Sequence, residues 1–203
     1  MTTPRMVDLA FALAGTGPTP VLPRRHRRTL AEAVQARLPW LADEPGAAVH
    51  RLRLSMGSGA PLLSRRTRLV LRVPRERQAD AAALVGATLE LAGVPLRLGA
   101  AQVHELVPHG TLYAHLVAAD DGDELRFLEQ VGRALSALQV AGRPICGQHQ
   151  HEDDDLQGFS LMVDGLSAAA ATRLLDEGLG AHRALGCGLF VPHKSASAVG
   201  TRD

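Results

Sequence analysis

The chain has 203 residues, a formal net charge of +1 and 46% hydrophobic residues, so it is long enough for one or two domains with apolar cores. Aromatic residues make up only 3%, which argues against a protein that binds single-stranded nucleic acid by stacking bases on aromatic rings. The sequence has no apolar run of 18 residues and no basic-then-apolar amino terminus, which predicts no membrane span and no signal peptide. Two cysteines build no disulfide framework, so a reducing, cytoplasmic setting is expected.

The small net charge conceals an uneven distribution along the chain. Residues 1–110 contain 15 basic and 8 acidic residues, whereas residues 111–203 contain 7 and 13. A basic half is typical of a protein that binds nucleic acid. The alternative is an ordinary solvated face in which codon usage replaces lysine by arginine. This would explain why the basic residues are arginines but not why they are concentrated in the N-terminal half.

In the N-terminal half, the hydrophobic pattern predicts the order strand, helix, strand, strand, helix, strand. Apolar residues follow the first strand at helical spacing, and Pro39 lies near the end of that helix. The predicted elements are a strand at 7–14, a helix around 30–41, strands at 49–54 and 67–73, a helix from Pro74 to about Gly86, and one or two short strands at 89–98.

The C-terminal half repeats this order. The predicted elements are a strand at 112–117, a helix at 125–138 that stops near Gly142, strands at 144–148 and 159–163, a helix from the Ser167 cap to Glu177 with Gly178 at its end, and a strand at 189–191. The repeated order predicts an α+β fold of two tandem ferredoxin-like (RRM-like, βαββαβ) units. We place the join near residues 104–110 and predict domains at 1–104 and 105–203, the second carrying the glycine-rich loop described next.

A glycine-rich loop follows the last predicted helix. Its notable residues are Gly178, Gly180, His182, Arg183, Gly186 and Gly188. Glycines permit positive φ and close approach of the backbone, successive exposed amides form a concavity for anions, and arginine is a forked donor for phosphate. The loop is no P-loop, since no Gly-Lys-Ser/Thr follows, and no dinucleotide fingerprint, since the order is helix, loop, strand. Two interpretations stay open: a loop that binds a phosphate backbone, or a simple connector.

His26 is the best candidate for a catalytic base. Four cations surround it in sequence, and they are Arg24, Arg25, Arg27 and Arg28. RNA carries its own nucleophile, the 2′-OH, so a metal-free nuclease needs only a base, an acid and cations around the phosphate, and histidine suits both proton-transfer roles near neutral pH. A capping box at Thr29 and Glu32 would place His26 just ahead of the first helix, where an anion is favoured. The alternative is an incidental histidine in a solvated basic cap.

Further candidates are weaker. Ser64, Arg65, Arg66 and Arg68 precede or enter a predicted strand and are candidate RNA contacts. Tyr113, the only tyrosine, and Lys194, a candidate cation for a phosphorane, are further catalytic candidates. For each, an ordinary surface or half-buried residue is an equal alternative. The pair His149 and His151 precedes an acidic run, but no third ligand has diagnostic spacing; we interpret the run as a solvated acidic turn and predict neither metal nor cofactor.

Four segments resemble one known family. They are Gly-Cys-Gly-Leu-Phe-Val-Pro-His-Lys-Ser at 186–195, Phe-Ser-Leu-Met-Val-Asp-Gly-Leu at 159–166, Leu-Leu-Ser-Arg-Arg-Thr-Arg-Leu at 62–69 and Leu-Pro-Trp-Leu at 38–41. The chain, from Val7 to Ser195, is similar to the CRISPR-associated endoribonucleases of the RAMP superfamily, in particular to a short subfamily found with type I systems.

The resemblance implies tandem ferredoxin-like folds, a metal-independent cut in the repeats of precursor CRISPR RNA and retention of the crRNA product. It also implies a catalytic histidine at the head of the first helix, which is His26 in this sequence. The expected partners are repeat RNA and crRNA, with other subunits of a CRISPR effector complex as further candidates. Two alternatives stay open, a non-cleaving crRNA-binding subunit of the same superfamily and an unrelated ferredoxin-like metabolic or regulatory protein.

Overall fold

The structure of the protein, a computed structural model, describes residues 3–15, 22–23, 25–56, 61–64, 66–153 and 155–193. These residues form two units. The N-terminal unit contains residues 6–105 together with the short segment 184–186, and the C-terminal unit contains the other described residues. None of the helices in the described ranges has the length and apolarity needed to cross a bilayer.

The N-terminal unit is a five-stranded antiparallel sheet with two helices. Its elements are β1 (Met6–Gly15), α1 (Arg27–Gln35), β2 (Ala48–Val49), a separate ribbon of β3 (Ser55–Met56) and β4 (Pro61–Leu62), β5 (Arg68–Pro74), α2 (Gln78–Ala82), β6 (Thr88–Leu91) and β7 (Val94–Glu105). The sheet order is β2-β5-β1-β7-β6. The first strand therefore lies in the middle of the sheet, between β5, which precedes α2, and β7, the second strand after α2.

The C-terminal unit is a four-stranded antiparallel sheet with two helices. Its elements are β8 (Thr111–Ala118), α3 (Glu124–Ala137), β9 (Arg143–Asp153), β10 (Leu156–Asp164), α4 (Ala168–Glu177) and β11 (Phe190–Pro192). The order β11-β8-β10-β9 again places the first and third strands of the unit side by side. Both units contain the βαββαβ order of a ferredoxin-like fold, the N-terminal unit with β3, β4 and β6 in addition, which confirms the predicted fold class.

Local sequence signals explain the C-terminal helices. Asp123 caps α3, because its side chain accepts a hydrogen bond from the amide of Arg126. Phe127, Val131 and Leu135 recur every four residues on the buried face of this helix. Ser167 caps α4 in the same way, through the amide of Ala170. The predicted boundaries of α4 are confirmed, whereas α3 lies one residue earlier than predicted at each end and stops at Ala137, before Gly142.

Other predicted boundaries are wrong. The capping box at Thr29 and Glu32 does not form, because α1 begins at Arg27 and its cap position is His26, whose side chain makes no capping hydrogen bond. The strand expected at 49–54 ends at Val49. The strand expected at 144–148 continues to Asp153 instead of giving way to an acidic turn, because β9 pairs with β10 as far as Asp153. The ends of the two strands depend on pairing with distant segments, and the residue pattern along a single strand does not show where that pairing stops.

A buried charge cluster crosses the sheet of the N-terminal unit. Arg72 on β5 is fully buried and donates through Nε and Nη2 to the two carboxylate oxygens of Asp8 on β1, at 2.8 and 3.0 Å. His50, just after β2, lies with Nε2 3.3 Å from Asp8 Oδ1. Burial alone would raise the pKa of Asp8, but the charges and hydrogen bonds of Arg72 and His50 overcome it and hold that pKa well below its ordinary value.

Removing this carboxylate leaves a buried arginine without its charge partner. We expect Asp8→Asn to lower the free energy of unfolding at pH 7 by about 3 kcal/mol, measured by urea denaturation. Asp80→Asn is the matched control, because Asp80 pairs with Arg77 at an exposed position and should cost less than about 1 kcal/mol. Equal losses in the two variants would contradict the prediction.

The same pair predicts how stability depends on pH. Because the pKa of Asp8 is depressed in the folded state, its contribution is complete above about pH 4 and is lost as the pH falls toward the folded value. The difference in stability between the wild-type protein and the Asp8→Asn variant should therefore narrow by about 1 kcal/mol between pH 7 and pH 3. The same comparison in a His50→Gln background removes the second titrating group of the cluster. Burial lowers the pKa of that histidine.

Candidate functional site

His26 is buried at the head of α1. Its side chain is 8% exposed, and Nδ1 lies 2.9 Å from the carbonyl oxygen of Pro23. The ring therefore makes one hydrogen bond to the main chain three residues earlier. Nε2 is also buried and has no hydrogen-bond partner in the described part of the chain.

This geometry determines which ring nitrogen carries the proton. The Pro23 carbonyl can only accept, so Nδ1 of His26 is the N–H donor. In the neutral imidazole the lone pair then lies on Nε2, which is the nitrogen without a partner. A buried polar atom without a partner costs free energy and needs an explanation, and a catalytic role is one such explanation. His26 is thus oriented to accept a proton at Nε2.

The four arginines around His26 have different environments. Arg25 is exposed and Arg28 is half-buried, and contacts of both with a phosphate stay predictions. Arg27 is 3% exposed, and its Nη1 lies 3.3 Å from the carbonyl oxygens of Leu185 and Gly186. A buried guanidinium engaged by carbonyls does not fit the predicted role of an RNA contact. Arg24 lies outside the described residues.

The turn before β5 uses its hydroxyl groups internally. The Ser64 hydroxyl accepts from the amide of Arg66 at 3.3 Å and lies 3.2 Å from the hydroxyl of Thr67, which itself donates to the carbonyl of Arg53. Ser64 therefore shapes the turn, which does not fit its predicted role as a hydroxyl donor to RNA. Arg66 and Arg68 are exposed and stay predicted RNA contacts, and Arg65 lies outside the described residues.

Protein contacts, rather than open space, surround two glycines of the loop. A Cβ on Gly188, whose φ is +60°, would overlap the carbonyl oxygen of Leu179. The amide of Gly188 donates to the carbonyl of Leu116 at 2.7 Å, so it does not form part of an anion cradle. A Cβ on Gly186, whose φ is +78°, would overlap the carbonyl oxygen of Val49. These glycines permit close packing of the chain on itself.

The remaining loop residues divide between packing and exposure. Arg183 donates to the carbonyl of Cys187 at 3.1 Å, its guanidinium occupies the space where a Gly178 side chain would lie, and the Gly178 amide donates to Leu174. His182 and Gly180 are exposed, and His182 has a φ of +58°, a conformation that non-glycine residues rarely adopt.

A cavity of about 370 Å³ lies beside His182. Its lining also includes the acidic residues Asp120 and Asp155, whose negative charge disfavours a phosphate placed there. RNA binding by His182 and Gly180 stays a prediction, and the negative charge beside His182 disfavours it.

Tyr113, the second catalytic candidate, lies on β8 in the C-terminal unit. It is half-buried, and its ring centroid is 5.4 Å from that of His193 with the planes inclined by 45°. Lys194 follows His193 in sequence and lies outside the described residues. Both catalytic roles stay predictions.

The two histidines on β9 are exposed and contact each other. The rings of His149 and His151 meet edge to face with centroids 4.8 Å apart, and His149 also contacts the buried ring of Phe159 at 4.8 Å. Within the described ranges, no group of three or more histidine, cysteine, aspartate or glutamate side chains is arranged to hold a metal ion.

Sequence reasoning missed two features of this site. The group that orients His26 is the main-chain carbonyl of Pro23, three residues earlier. Every residue has such a carbonyl, so the sequence does not indicate this contact. The pairing of Arg27 with the carbonyls of Leu185 and Gly186 joins positions about 158 residues apart, and no local pattern could indicate it.

The chain also matches known proteins along almost its whole length. A family model described as "Cas6 Crispr" matches residues 7–195. The chain belongs to the Cas6 family. A Cas6 relative, the CRISPR-associated endonuclease Cas6 of Myxococcus xanthus (strain DK1622), is 36% identical over 197 residues, which cover 95% of this chain and 84% of the relative. This membership confirms the family resemblance found in the sequence.

Solved Cas6 structures share the fold. A structure described as "CRISPR associated protein Cas6" superimposes with a TM-score of 0.65 at 10% identity, covering 93% of this chain and 100% of that one. The structure of a Cas6-related protein from Pyrococcus furiosus gives a TM-score of 0.61 at 13% identity, covering 91% and 97%. At such low identity these similarities support the tandem ferredoxin-like Cas6 architecture and nothing finer.

Proposed function

We propose that this Cas6 family protein is a metal-independent endoribonuclease that cleaves the repeats of precursor CRISPR RNA, with His26 as the general base. The observation that carries the proposal is the buried imidazole at the head of α1, whose Nδ1–H is held by Pro23 and whose Nε2 has no partner among the described residues. Membership of a family with a curated endonuclease 36% identical to this chain supplies the reaction class.

The chemistry follows from the orientation of the ring. Nε2 of His26 takes the proton from a 2′-OH of the RNA, and the oxygen attacks the adjacent phosphorus. The P–O5′ bond breaks, and the leaving oxygen takes up a proton. The products are one RNA fragment ending in a 2′,3′-cyclic phosphate and another beginning with a 5′-OH. Tyr113 and Lys194 are the proposed partners, as the acid and as the cation beside the phosphorane.

RNA binding must expose the reacting nitrogen. Nε2 of His26 is covered in this structure, so a 2′-OH can reach it only after the covering groups have moved. Catalytic contacts are commonly incomplete in the absence of substrate. The exposed cations Arg25 and Arg66 supply attraction for a phosphate backbone without any such movement.

We also propose a cellular location and binding partners for this protein. Cys146 and Cys187 form no disulfide in the described part of the chain, and we propose a reducing cytoplasm as the setting. The RNA partners are the repeat and the crRNA retained after the cut, and an effector complex that takes up the crRNA is the proposed protein partner.

The decisive experiment is cleavage of a repeat RNA in EDTA, followed by analysis of the product ends. We expect full activity in EDTA and fragments with a 2′,3′-cyclic phosphate and a 5′-OH. A substrate with a single 2′-deoxy nucleotide at the cut site is the control, and it should bind without being cleaved. Tight binding without cleavage of the all-ribose RNA would identify a non-cleaving RNA-binding subunit, and absence of both binding and cleavage would refute the proposed function.

A further inference from the structure

We infer that Arg27 is a positioning residue for His26: it ties the first turn of α1 to the segment 184–186 and so holds the imidazole in its proton-accepting orientation. This inference rests on the proposed function of His26. It assigns a role in catalysis to a buried side chain that the sequence suggested as an RNA contact.

Helix α1 begins without an ordinary side-chain cap. The side chain of His26 occupies the cap position of α1 without making a capping hydrogen bond, and the first turn contains no acidic residue. A helix start without these contacts tends to fray. The chain must therefore hold the first turn by other contacts, since an oriented imidazole requires a fixed backbone.

Arg27 supplies such a contact. It is the first residue of α1, only 3% of it is exposed, and its Nη1 lies 3.3 Å from the carbonyl oxygens of both Leu185 and Gly186. Burying a guanidinium is costly where its N–H groups are not satisfied, and the two carbonyls satisfy Nη1, whereas Nε is buried with no hydrogen-bond partner among the described residues. The contact of Nη1 with these acceptors therefore helps to define where the side chain lies. The residue next to His26 is thereby fixed to a distant part of the chain.

The acceptors are themselves held in place. Segment 184–186 packs with the N-terminal unit rather than with the loop on either side of it. Gly186 has a φ of +78°, and its Cα lies so close to Val49 that a Cβ would overlap the Val49 carbonyl oxygen and lie 3.3 Å from Arg27 Nη1. The end of β2 thus supports the carbonyls that hold Arg27.

Losing this contact should alter the state of the ring. If the first turn shifts, His26 Nδ1 loses its 2.9 Å contact with the Pro23 carbonyl, and the neutral ring is free to carry its proton on Nε2. A ring protonated on Nε2 cannot accept a proton there. A misplacement of about 1 Å costs up to roughly 10²-fold in rate even without this change.

The test compares Arg27→Leu and Arg27→Lys with Arg37→Leu. Arg37 is the matched control, because it follows the other end of α1, is exposed, and donates to the carbonyl of Thr88 at 3.2 Å. Three quantities are measured for each protein: the single-turnover cleavage rate, the RNA Kd, and the ¹⁵N signals of the His26 ring, which distinguish a proton on Nδ1 from one on Nε2. The ¹⁵N signals of the His26 ring are assigned as those that are absent from the spectrum of a His26→Gln protein.

We expect Arg27→Leu to cleave roughly 10- to 100-fold more slowly, with a Kd within about threefold and a His26 signal that no longer shows the proton on Nδ1 alone. Arg27→Lys places a single nitrogen near the two carbonyls, so its cleavage rate should lie between those of wild type and Arg27→Leu. Arg37→Leu should match wild type in rate, Kd and ring signal. A merely structural role would lower the melting temperature and leave the ring signal of the folded protein unchanged.

Two results would overturn the inference. One is a folded Arg27→Leu protein with wild-type rate and ring signal, and the other is a loss confined to Kd, which would make Arg27 an RNA contact. If the leucine variant does not fold, the lysine variant decides by the same two criteria. Cleavage that persists in His26→Gln would instead refute the proposed function, whatever the Arg27 variants do.

Discussion

Replacing His26 with glutamine or alanine is expected to slow cleavage of repeat RNA by at least about 10²-fold, the usual scale for a lost general base. Glutamine is the sharper substitution, because its side-chain amide can still donate to the Pro23 carbonyl but has no basic nitrogen. RNA affinity should stay within a few-fold of wild type, since Nε2 of His26 is covered before RNA binds. Single-turnover rates and equilibrium binding separate the two effects.

The fold should tolerate these changes. The backbone carbonyl of His26, not its side chain, accepts the first hydrogen bond of α1, from the amide of Leu30 at 2.9 Å. His104→Ala is the control, because His104 is an exposed histidine on β7 of the same unit. An active His26→Gln protein with normal RNA affinity would remove His26 from the mechanism.

Placing any side chain at Gly188 is expected to unfold the C-terminal unit rather than to weaken RNA binding on a folded protein. A Cβ at this position would overlap the carbonyl oxygen of Leu179, and main-chain atoms cannot move aside as a flexible side chain can. Gly188 also donates to Leu116 and accepts from Leu179, so a shift would break both hydrogen bonds. We expect Gly188→Ala to lose more than about 4 kcal/mol of stability and Gly188→Val to fail to fold.

Gly165→Ala is the matched control for this clash. Gly165 lies in the same unit and has a similar φ of +74°, but a Cβ there would meet nothing within 4 Å. Its cost should therefore be only that of the left-handed backbone, about 1–2 kcal/mol. Urea denaturation measures both. A Gly188→Ala protein of normal stability that no longer binds repeat RNA would instead support the phosphate-binding interpretation of the loop.

The order of the elements was readable from the sequence because it depends on local periodicity. The alternation at 67–73 places Leu69 and Leu71 on one buried face, although Arg72 on the other face is buried too, and the helical spacing at 125–138 includes the buried Val131. Such spacings follow from the geometry of strands and helices alone. Ser167 likewise predicted the start of α4, since a cap acts within one turn. The family and the candidacy of His26 were also readable, because they depend on short stretches of residues.

The roles of individual residues required the tertiary structure. Arg25, Arg27 and Arg28 are equivalent in sequence, yet Arg27 alone is almost fully buried, because Leu185 and Gly186 lie beside α1. Gly188 suggested an anion site in the sequence, whereas contact with Leu179 and Leu116 accounts for it in the structure. The physical reason is the same in each case. A sequence pattern reports which side of an element faces the protein interior, but not which distant group occupies that place, and that group determines whether a charge is solvated, paired or poised for chemistry.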